Sequence, residues 1–504
     1  MFFGMLEIVA TWLVLFLSFC GVGLNVQKLF GVHDFNAENA FSAFWFGWCC
    51  ILMGLQIWHL FAPVDWLAFS AVLAVGVGGL FLCRKQISEF FKEHFFQLGW
   101  ILPLGLVFLW LANRAMAPIR SYDAGLYHLS SIRWISLYPI IPGLANLHDR
   151  LGFNSSYFIF QSMLDVGIWT QRSHHLASGL LLLVVLLEIG FSVYKLIVKR
   201  PISFYDLMRI LLLAPVIDQC FSQASTTSPD LAIYVIGVLI SIRLCRLLFS
   251  EHTLESKTLD VSFIMILSAV GITIKLSFLA MAFFSSLVAV GTLTYRAAKQ
   301  NDQITRSTKL IAPAILVVLI LFPWMTRNVI LTGYPIYPIT LLSFHVDWKV
   351  APETVNNTTE WIQSWARNPH ASPHQVLANW DWIQAWTTEM LSHHKFDVIF
   401  PLFLFFLGNL IRVAAAPNKL LPLSRCIIFF FPPLGMLMVW FFTAPDPRFA
   451  GAAFWYLGAG AISLAYGGLF YDRVCKQSLV PSRSFPRYND SEITSNAGNY
   501  RAGS

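Results

Sequence analysis

The sequence predicts an all-α polytopic membrane protein of about 13 transmembrane helices, and three observations predict it. Only 12% of the 504 residues are charged while 57% are hydrophobic, against about 25% charged in soluble globular chains. Apolar runs near 20 residues, the length that crosses a bilayer core of about 30 Å, recur along the chain. The Lys and Arg residues between these runs gather in alternate loops. So little charge at this length excludes an ordinary cytosolic protein, and so much apolar surface excludes a disordered one. The net charge of +7 reads as an excess of basic residues in cytoplasmic loops rather than affinity for nucleic acid.

Taken in order, the spans fall at about residues 7–27, 41–62 and 65–83, which form an N-terminal three-span extension over 1–96. No basic segment precedes Ile8, so the first run is read as a retained helix and not a cleaved signal. A fourth span at 97–114 opens a core over 97–326, followed by spans at 176–197, 205–221, 228–247, 260–275, 278–295 and 309–326. The C-terminal part, 396–476, adds spans at 396–413, 424–443 and 449–470. The polar tail 477–504 reads as disordered. Cys20, Cys83, Cys220 and Cys426 lie in or beside apolar runs, with Cys49 and Cys50 adjacent in another. Without metal-type spacing they are expected to act as small buried hydrophobes.

Six loops orient the set. They hold Arg84, Lys85 and Lys92; Lys195, Lys199 and Arg200; Arg243, Arg246 and Lys257; Arg296, Lys299, Arg306 and Lys309; Arg412, Lys419 and Arg425; and Arg473 and Lys476. About 13 spans place all six on one face, cytoplasmic by the positive-inside rule. Two long loops, 115–175 and 327–395, then lie on the outer face, rich in Trp, Tyr, His, Pro and Asn. Channels and simple carriers rarely need so much outer polypeptide; an enzyme working at the membrane surface does.

The first outer loop opens with SYDAGLYHL. Asp123 there could accept a proton from a hydroxyl, with His128 assisting and Tyr122 lining the substrate. The competing reading of Asp123 is a helix N-cap. Further on, Asn146, His148, Asp149, Arg150 and Asn154 fall close together after Pro139, Pro142 and Gly143. They suggest a short amphipathic helix lying on the membrane with its polar face toward a cavity, or else a loop network without a ligand. Asn154-Ser155-Ser156 also matches a glycosylation sequon.

Ionisable residues in lipid are costly and therefore functional by default. Lys275, in GITIKLSFLA, lies at the outward turn between the eighth and ninth spans, placed to attract a phosphate-bearing headgroup or to snorkel. Asp230, in STTSPDLAI, starts the seventh span and is either part of that site or an N-cap. Glu188 and Asp218 have no evident place in the sequence, and either could pair with a nearby cation inside the bundle. Arg327 and Tyr334, in TRNVILTGYPIYP, follow the tenth span. In TAPDPRF, Arg448 offers a planar fork to phosphate oxygens or pairs with Asp446. Trp361, Trp365, Trp380, Trp382 and Trp386 fit an interfacial belt or sugar stacking. The four histidines His370, His374, His393 and His394 lack a compact ligand spacing.

The order of a span, an outer loop opening on an acidic residue, interfacial helices and a multi-span bundle resembles the GT-C superfamily of membrane glycosyltransferases over about residues 97–470. Asp123 stands where those enzymes carry a catalytic or metal-binding acid. Lys275 is similar to a Lys in a short outer turn, and Arg448 to an Arg opening a late outer helix. The resemblance implies an enzyme of the bacterial inner membrane that moves a sugar from a polyprenyl-phosphate carrier to a glycan or lipid acceptor in the cell envelope, with its active site on the outer face. Asp123 and His128 would be catalytic. Tyr122, Asn146, His148, Arg150, Asn154, Asp230, Lys275, Arg327, Tyr334 and Arg448 would bind substrate. The chain differs from the usual arrangement in having three spans before the acidic loop and a single acid rather than a pair. No cofactor is required by the residues, and a divalent metal stays open. A glycan polymerase or ligase using a pyrophosphate carrier, and a lipid or glycan transporter, are the alternatives.

Overall fold

A computed structural model describes residues 2–32, 37–88, 101–200, 202–250, 254–299, 303–415 and 422–469. The regular elements among them are all helical. The principal helices are α1 (Phe2–Leu29), α2 (Ala37–Trp58), α3 (Trp66–Leu82), α4 (Ile101–Ala115), α5 (Leu129–Leu137), α6 (Ser156–Leu164), α7 (Ala177–Ile197), α8 (Phe204–Leu211), α9 (Leu213–Gln223) and α10 (Pro229–Phe249). They continue with α11 (Leu254–Ile274), α12 (Leu279–Lys299), α13 (Gln303–Thr332), α14 (Pro352–Arg367), α15 (Pro373–Ala378), α16 (Trp382–His393), α17 (Phe400–Ala415), α18 (Leu423–Thr443), α19 (Pro447–Ala450) and α20 (Ala453–Leu469). Among the described residues nine are long and apolar enough to cross a membrane: α1, α2, α7, α10, α11, α12, α13, α17 and α18. Helices α3, α4 and α20 are apolar but shorter. The chain is therefore a helical membrane protein. The tail 477–504, and Lys92, Lys419, Arg473 and Lys476 of the basic loops, lie outside the described residues.

The span expected at 205–221 is not one helix. It is the pair α8 and α9, broken at Leu212. Pro215 explains the break, since its ring crowds the carbonyl four residues back and it has no N–H to donate. Helix α8 begins with a capping box in which Ser203 and Asp206 bond each other's backbone. Helix α9 ends beside α4, where Arg114 donates to the Phe221 carbonyl at 2.6 Å.

The first three helices are not an appendage. Gly23 and Gly47 let α1 and α2 touch backbone to backbone: a Cβ on Gly23 would lie 1.7 Å from the Ala43 carbonyl oxygen, and one on Gly47 1.8 Å from that of Phe19. Gly21 meets Gly76 and Gly79 of α3 in the same way. Small residues that admit such approach are the usual helix-pairing device in lipid, where apolar side chains gain nothing by leaving one apolar phase for another. Trp12 is fully buried and its indole donates to the Leu176 carbonyl at 2.9 Å. Phe46 and Trp48 of α2 pack on Phe263 and Phe160. One apolar core thus runs from α1 to α20.

At one end of the bundle the polar contacts are ionic and buried. Arg209 grips both oxygens of Glu38 at 2.7 and 2.8 Å and reaches Glu188 at 2.5 Å. Arg243 lies 3.5 Å from Glu188 and 3.7 Å from Asp260. The Nε of Arg246 bonds the Asp260 carboxylate at 2.9 and 3.0 Å, and Lys195 bonds Asp206 at 3.0 Å. Glu188 pairs with cations as expected. Arg243 and Arg246, expected in a solvated loop, are instead buried on the last turns of α10. Carboxylates from α2, α7 and α11 compensate them there.

Between α4 and α7 the backbone departs from the expected surface helix. Residues 144–152 form two single 3-10 turns, Leu144–Asn146 and Asp149–Gly152. Gly143 enters the first with φ +68°, and a Cβ there would lie 2.7 Å from the Trp348 Cβ. Extended backbone at His148 separates the two turns. Helix α6 follows and is buried along its whole length.

Candidate functional site

At the opposite end of the bundle four segments distant in sequence bring charges together. Asp123 precedes a π-helical turn, Ala124–His128, in which Leu129 N–H donates to the Ala124 carbonyl. Such turns are frequent at functional sites. Asp123 makes no capping bond. Its Oδ2 instead accepts from Arg448 Nη1 at 3.1 Å, and its Oδ1 lies 4.0 Å from Arg150 Nη1. The N-cap reading of Asp123 therefore fails, because the side chain turns away from its own helix.

Arg448 is placed by TAPDPRF. Asp446 caps the short α19 through Arg448 N–H at 3.0 Å and also pairs with Arg448 Nε at 3.0 Å. The expected structural pair with Asp446 is present, and the same guanidinium also reaches Asp123. Phe449 supports two cations with its ring: Arg448 Cζ lies 4.9 Å and Lys275 Nζ 4.4 Å from the centroid.

Lys275 occupies the turn between α11 and α12, where sequence placed it, and forms an ion pair with Asp230. Asp230 is not the cap of α10. Ser228 is, accepting from Asp230 N–H at 3.2 Å while its hydroxyl donates to Asp230 Oδ2 at 2.9 Å. Pro229 takes the first helical position, where its missing N–H costs nothing. The cluster thus holds Arg150, Lys275 and Arg448 against Asp123, Asp230 and Asp446. Charges balance, and a ligand anion entering here would compete with carboxylates for three cations.

His128 lies beneath this cluster. It is 1% exposed, its Nδ1 is 3.0 Å from Thr227 Oγ1, and its ring packs against Tyr127 and Phe158. Burial pushes its imidazole down to about 4, with the Asp123 and Asp230 carboxylates opposing only in part. It is therefore neutral near pH 7. Because its ordinary value is 6.5, the unfolded chain binds the proton first as pH falls. Its stabilising contribution is complete above pH 6.5 and is expected to disappear as pH falls toward 4. Unfolding midpoints of wild type and His128→Gln in detergent between pH 7.5 and 4.5 check this. Wild type should lose more stability than the variant, and parallel curves would refute it.

The remaining candidates separate from the cluster. Tyr122 is 81% exposed. Asn146 donates to the Trp348 carbonyl at 2.7 Å, and the Tyr334 hydroxyl to the Val350 carbonyl at 3.0 Å. Asn154 Nδ2 donates to the Trp324 carbonyl and receives the Trp324 indole on its own carbonyl, both at 2.9 Å. These three tie the two long loops and α13 together, and buried Asn154 is not presented as a glycosylation site. His148 accepts from Arg150 N–H at 3.2 Å and so shapes the turn that carries Arg150. Arg327 lies in a separate cavity. Trp382 and Trp386 pack on the end of α18 through Phe441, whereas Trp361, Trp365 and Trp380 are exposed. Among the described residues no group of three or more His, Cys, Asp or Glu is arranged to hold a metal ion.

Sequence reading missed Thr227, Tyr127 and Phe449. The run STTSPD before α10 carried a signal for Thr227, since hydroxyl residues there serve both the cap and a neighbour. Phe449 carried none, because an aromatic beside a proline turn is indistinguishable from core.

No curated protein and no solved structure matches the chain. One family model does, over residues 5–455, and it takes in the first three helices together with both long loops and the Asp123–Arg448 pair. The chain belongs to that family, described as a domain of unknown function (DUF8201).

Proposed function

We propose that the protein is a membrane glycosyltransferase of GT-C type, with about 13 membrane crossings, α8 and α9 together making one of them. The Asp123 end faces outward and the Glu38 end faces the cytoplasm, so the active site lies on the outer side of a bacterial inner membrane. The observation that carries the reading is the meeting of Asp123 with Arg448, 325 residues apart, beside the Lys275–Asp230 pair.

A sugar carried on polyprenyl phosphate would place its phosphate between Lys275 and Arg448. Both cations would exchange carboxylate for phosphate oxygens, which relieves Asp123 of its guanidinium partner. The freed carboxylate then takes the proton of an acceptor hydroxyl on a glycan or lipid as that oxygen attacks the anomeric carbon. The bond to the carrier oxygen breaks, and the departing phosphate keeps the electron pair, stabilised by the two cations. Arg150 holds the other Asp123 oxygen and orients it. His128, neutral and bonded to Thr227, positions the turn that carries Asp123.

The test uses purified protein in nanodiscs with a panel of radiolabelled polyprenyl-phosphate sugars and a cell-lipid extract as acceptor source. Wild type should release sugar from one donor, and Asp123→Asn should abolish transfer, with Lys275→Ala strongly impaired. No turnover of any donor overturns the reading. A second reading, a polymerase or ligase acting on a pyrophosphate carrier, is favoured by one observation: two arginines, Arg150 and Arg448, converge on the same carboxylate. Cleavage that survives Asp123→Asn would favour it, because there the arginines and not the acid do the chemistry.

A further inference from the structure

A small cavity separate from the charged cluster is lined by His59 after α2, Ser131 and Ile135 of α5, Phe153 and Asn154 of the first long loop, and Arg327 of α13, among others. It admits the centres of water-sized atoms over about 30 Å³, and one water needs about 10–15 Å³ on that measure. Two or three separate waters therefore fit, or one compact group whose oxygens are bonded to a common atom. Arg327 is 2% exposed. Its Nη2 donates to His59 Nδ1 at 3.2 Å. His59 can accept because its Nε2–H donates to the Tyr138 carbonyl at 3.1 Å, leaving the lone pair on Nδ1. The Nε and Nη1 of Arg327 have no partner among the described residues.

Arg327 differs from the other deeply buried arginines. Arg209, Arg243 and Arg246 each face at least one carboxylate. No Asp or Glu lines the Arg327 cavity, and none among the described residues pairs with it. A buried guanidinium with no counter-charge is strongly unfavourable, so an anion is what the site selects. Two more polar atoms there lack a protein partner: Ser131 Oγ, which can donate, and Asn154 Oδ1, which accepts. Both residues are more than nine-tenths buried. Two guanidinium donors, a hydroxyl and one acceptor match a singly charged oxyanion that keeps an O–H, its bare oxygens on Arg327 and Ser131 and its O–H on Asn154. The apolar walls of Trp134, Ile135 and Leu331 leave room for no second charge.

We propose that this cavity is an oxyanion site that takes a phosphate group, independent of the charged cluster at Asp123. The phosphate is either free or the head of a lipid, and the experiment separates the two. Binding is measured on the full chain carrying Arg448→Ala, which weakens the first cluster, and the cavity's share is what the further change Arg327→Gln removes, so failure of the transferase reading leaves this test intact. One arm titrates inorganic phosphate and follows the unfolding midpoint. The other compares nanodiscs doped with phosphatidic acid or with neutral diacylglycerol and reads bound lipid by native mass spectrometry. A shift with inorganic phosphate that disappears in Arg448→Ala/Arg327→Gln assigns a free anion. Retention of phosphatidic acid over diacylglycerol, lost in the same double variant, assigns a lipid head. Should Arg327→Gln fail to fold, Ser131→Ala keeps the cation and is expected to weaken binding about tenfold, the worth of one hydrogen bond to a charged group. Absence of both signals in folded Arg448→Ala protein, or equal binding after Ser131→Ala, overturns the proposal.

Discussion

Replacement of Glu188 by alanine is expected to destabilise the bundle by about 3–5 kcal/mol, the cost of removing one partner from a buried ion pair. Four carboxylates (Glu38, Glu188, Asp206, Asp260) face four cations (Lys195, Arg209, Arg243, Arg246) at that end, so the sum is zero. Glu188 is the bridge in this set. It bonds Arg209 at 2.5 Å and lies 3.5 Å from Arg243, and all three side chains are buried. Without it one positive charge is left uncompensated where water cannot reach. The measurement is the unfolding midpoint of detergent-solubilised protein. Glu389→Ala is the control, because Glu389 is exposed and only 3.9 Å from His393, a pair worth about 0–1 kcal/mol. Equal midpoints for the two variants would show that the network is solvated and contributes little.

Arg448→Ala is expected to lower turnover by about 10²–10³-fold, the usual loss when one preorganised donor to developing negative charge is removed. The residue gathers the site: its guanidinium touches Asp123 and Asp446 and rests on Phe449. Its loss removes the fork for the leaving phosphate and also frees Asp123 in the resting state. Arg448→Lys should recover little, since an ammonium is a point charge that cannot hold Asp446 and a phosphate with separate edges. Turnover at saturating donor, measured apart from donor affinity, checks this. A loss confined to affinity would make Arg448 a binding residue alone, and unchanged turnover would remove it from the chemistry.

Class was legible in the sequence because it is a local sum. An apolar run long enough to cross lipid stays so in any fold, and nine of the long runs are continuous helices. Lys275 was legible too: a lone lysine between two apolar halves has to lie at a turn or find a partner, and it does both. The helix break at Leu212 could have been foreseen, since Pro215 within the apolar run has no N–H to donate and crowds the carbonyl four residues back. Hydropathy averaged over the segment hid it.

Partnership was decided by tertiary structure alone. Asp123 and Arg448 are 325 residues apart, and Arg209 and Glu38 171. Nothing in local composition says which carboxylate a given arginine will face. The same holds for which polar side chains serve the fold. Asn146, Asn154 and Tyr334 share the composition of a binding loop, yet each donates to a backbone carbonyl of another segment or turn. Arg243 and Arg246 look in sequence like loop cations and are buried because three different helices bring them carboxylates. Arg327 shares that burial and received none. Burial and counter-charge are set by what packs from elsewhere in the chain, and so the sequence by itself determined where charge would be expensive, while only the packed bundle decided which charges were compensated.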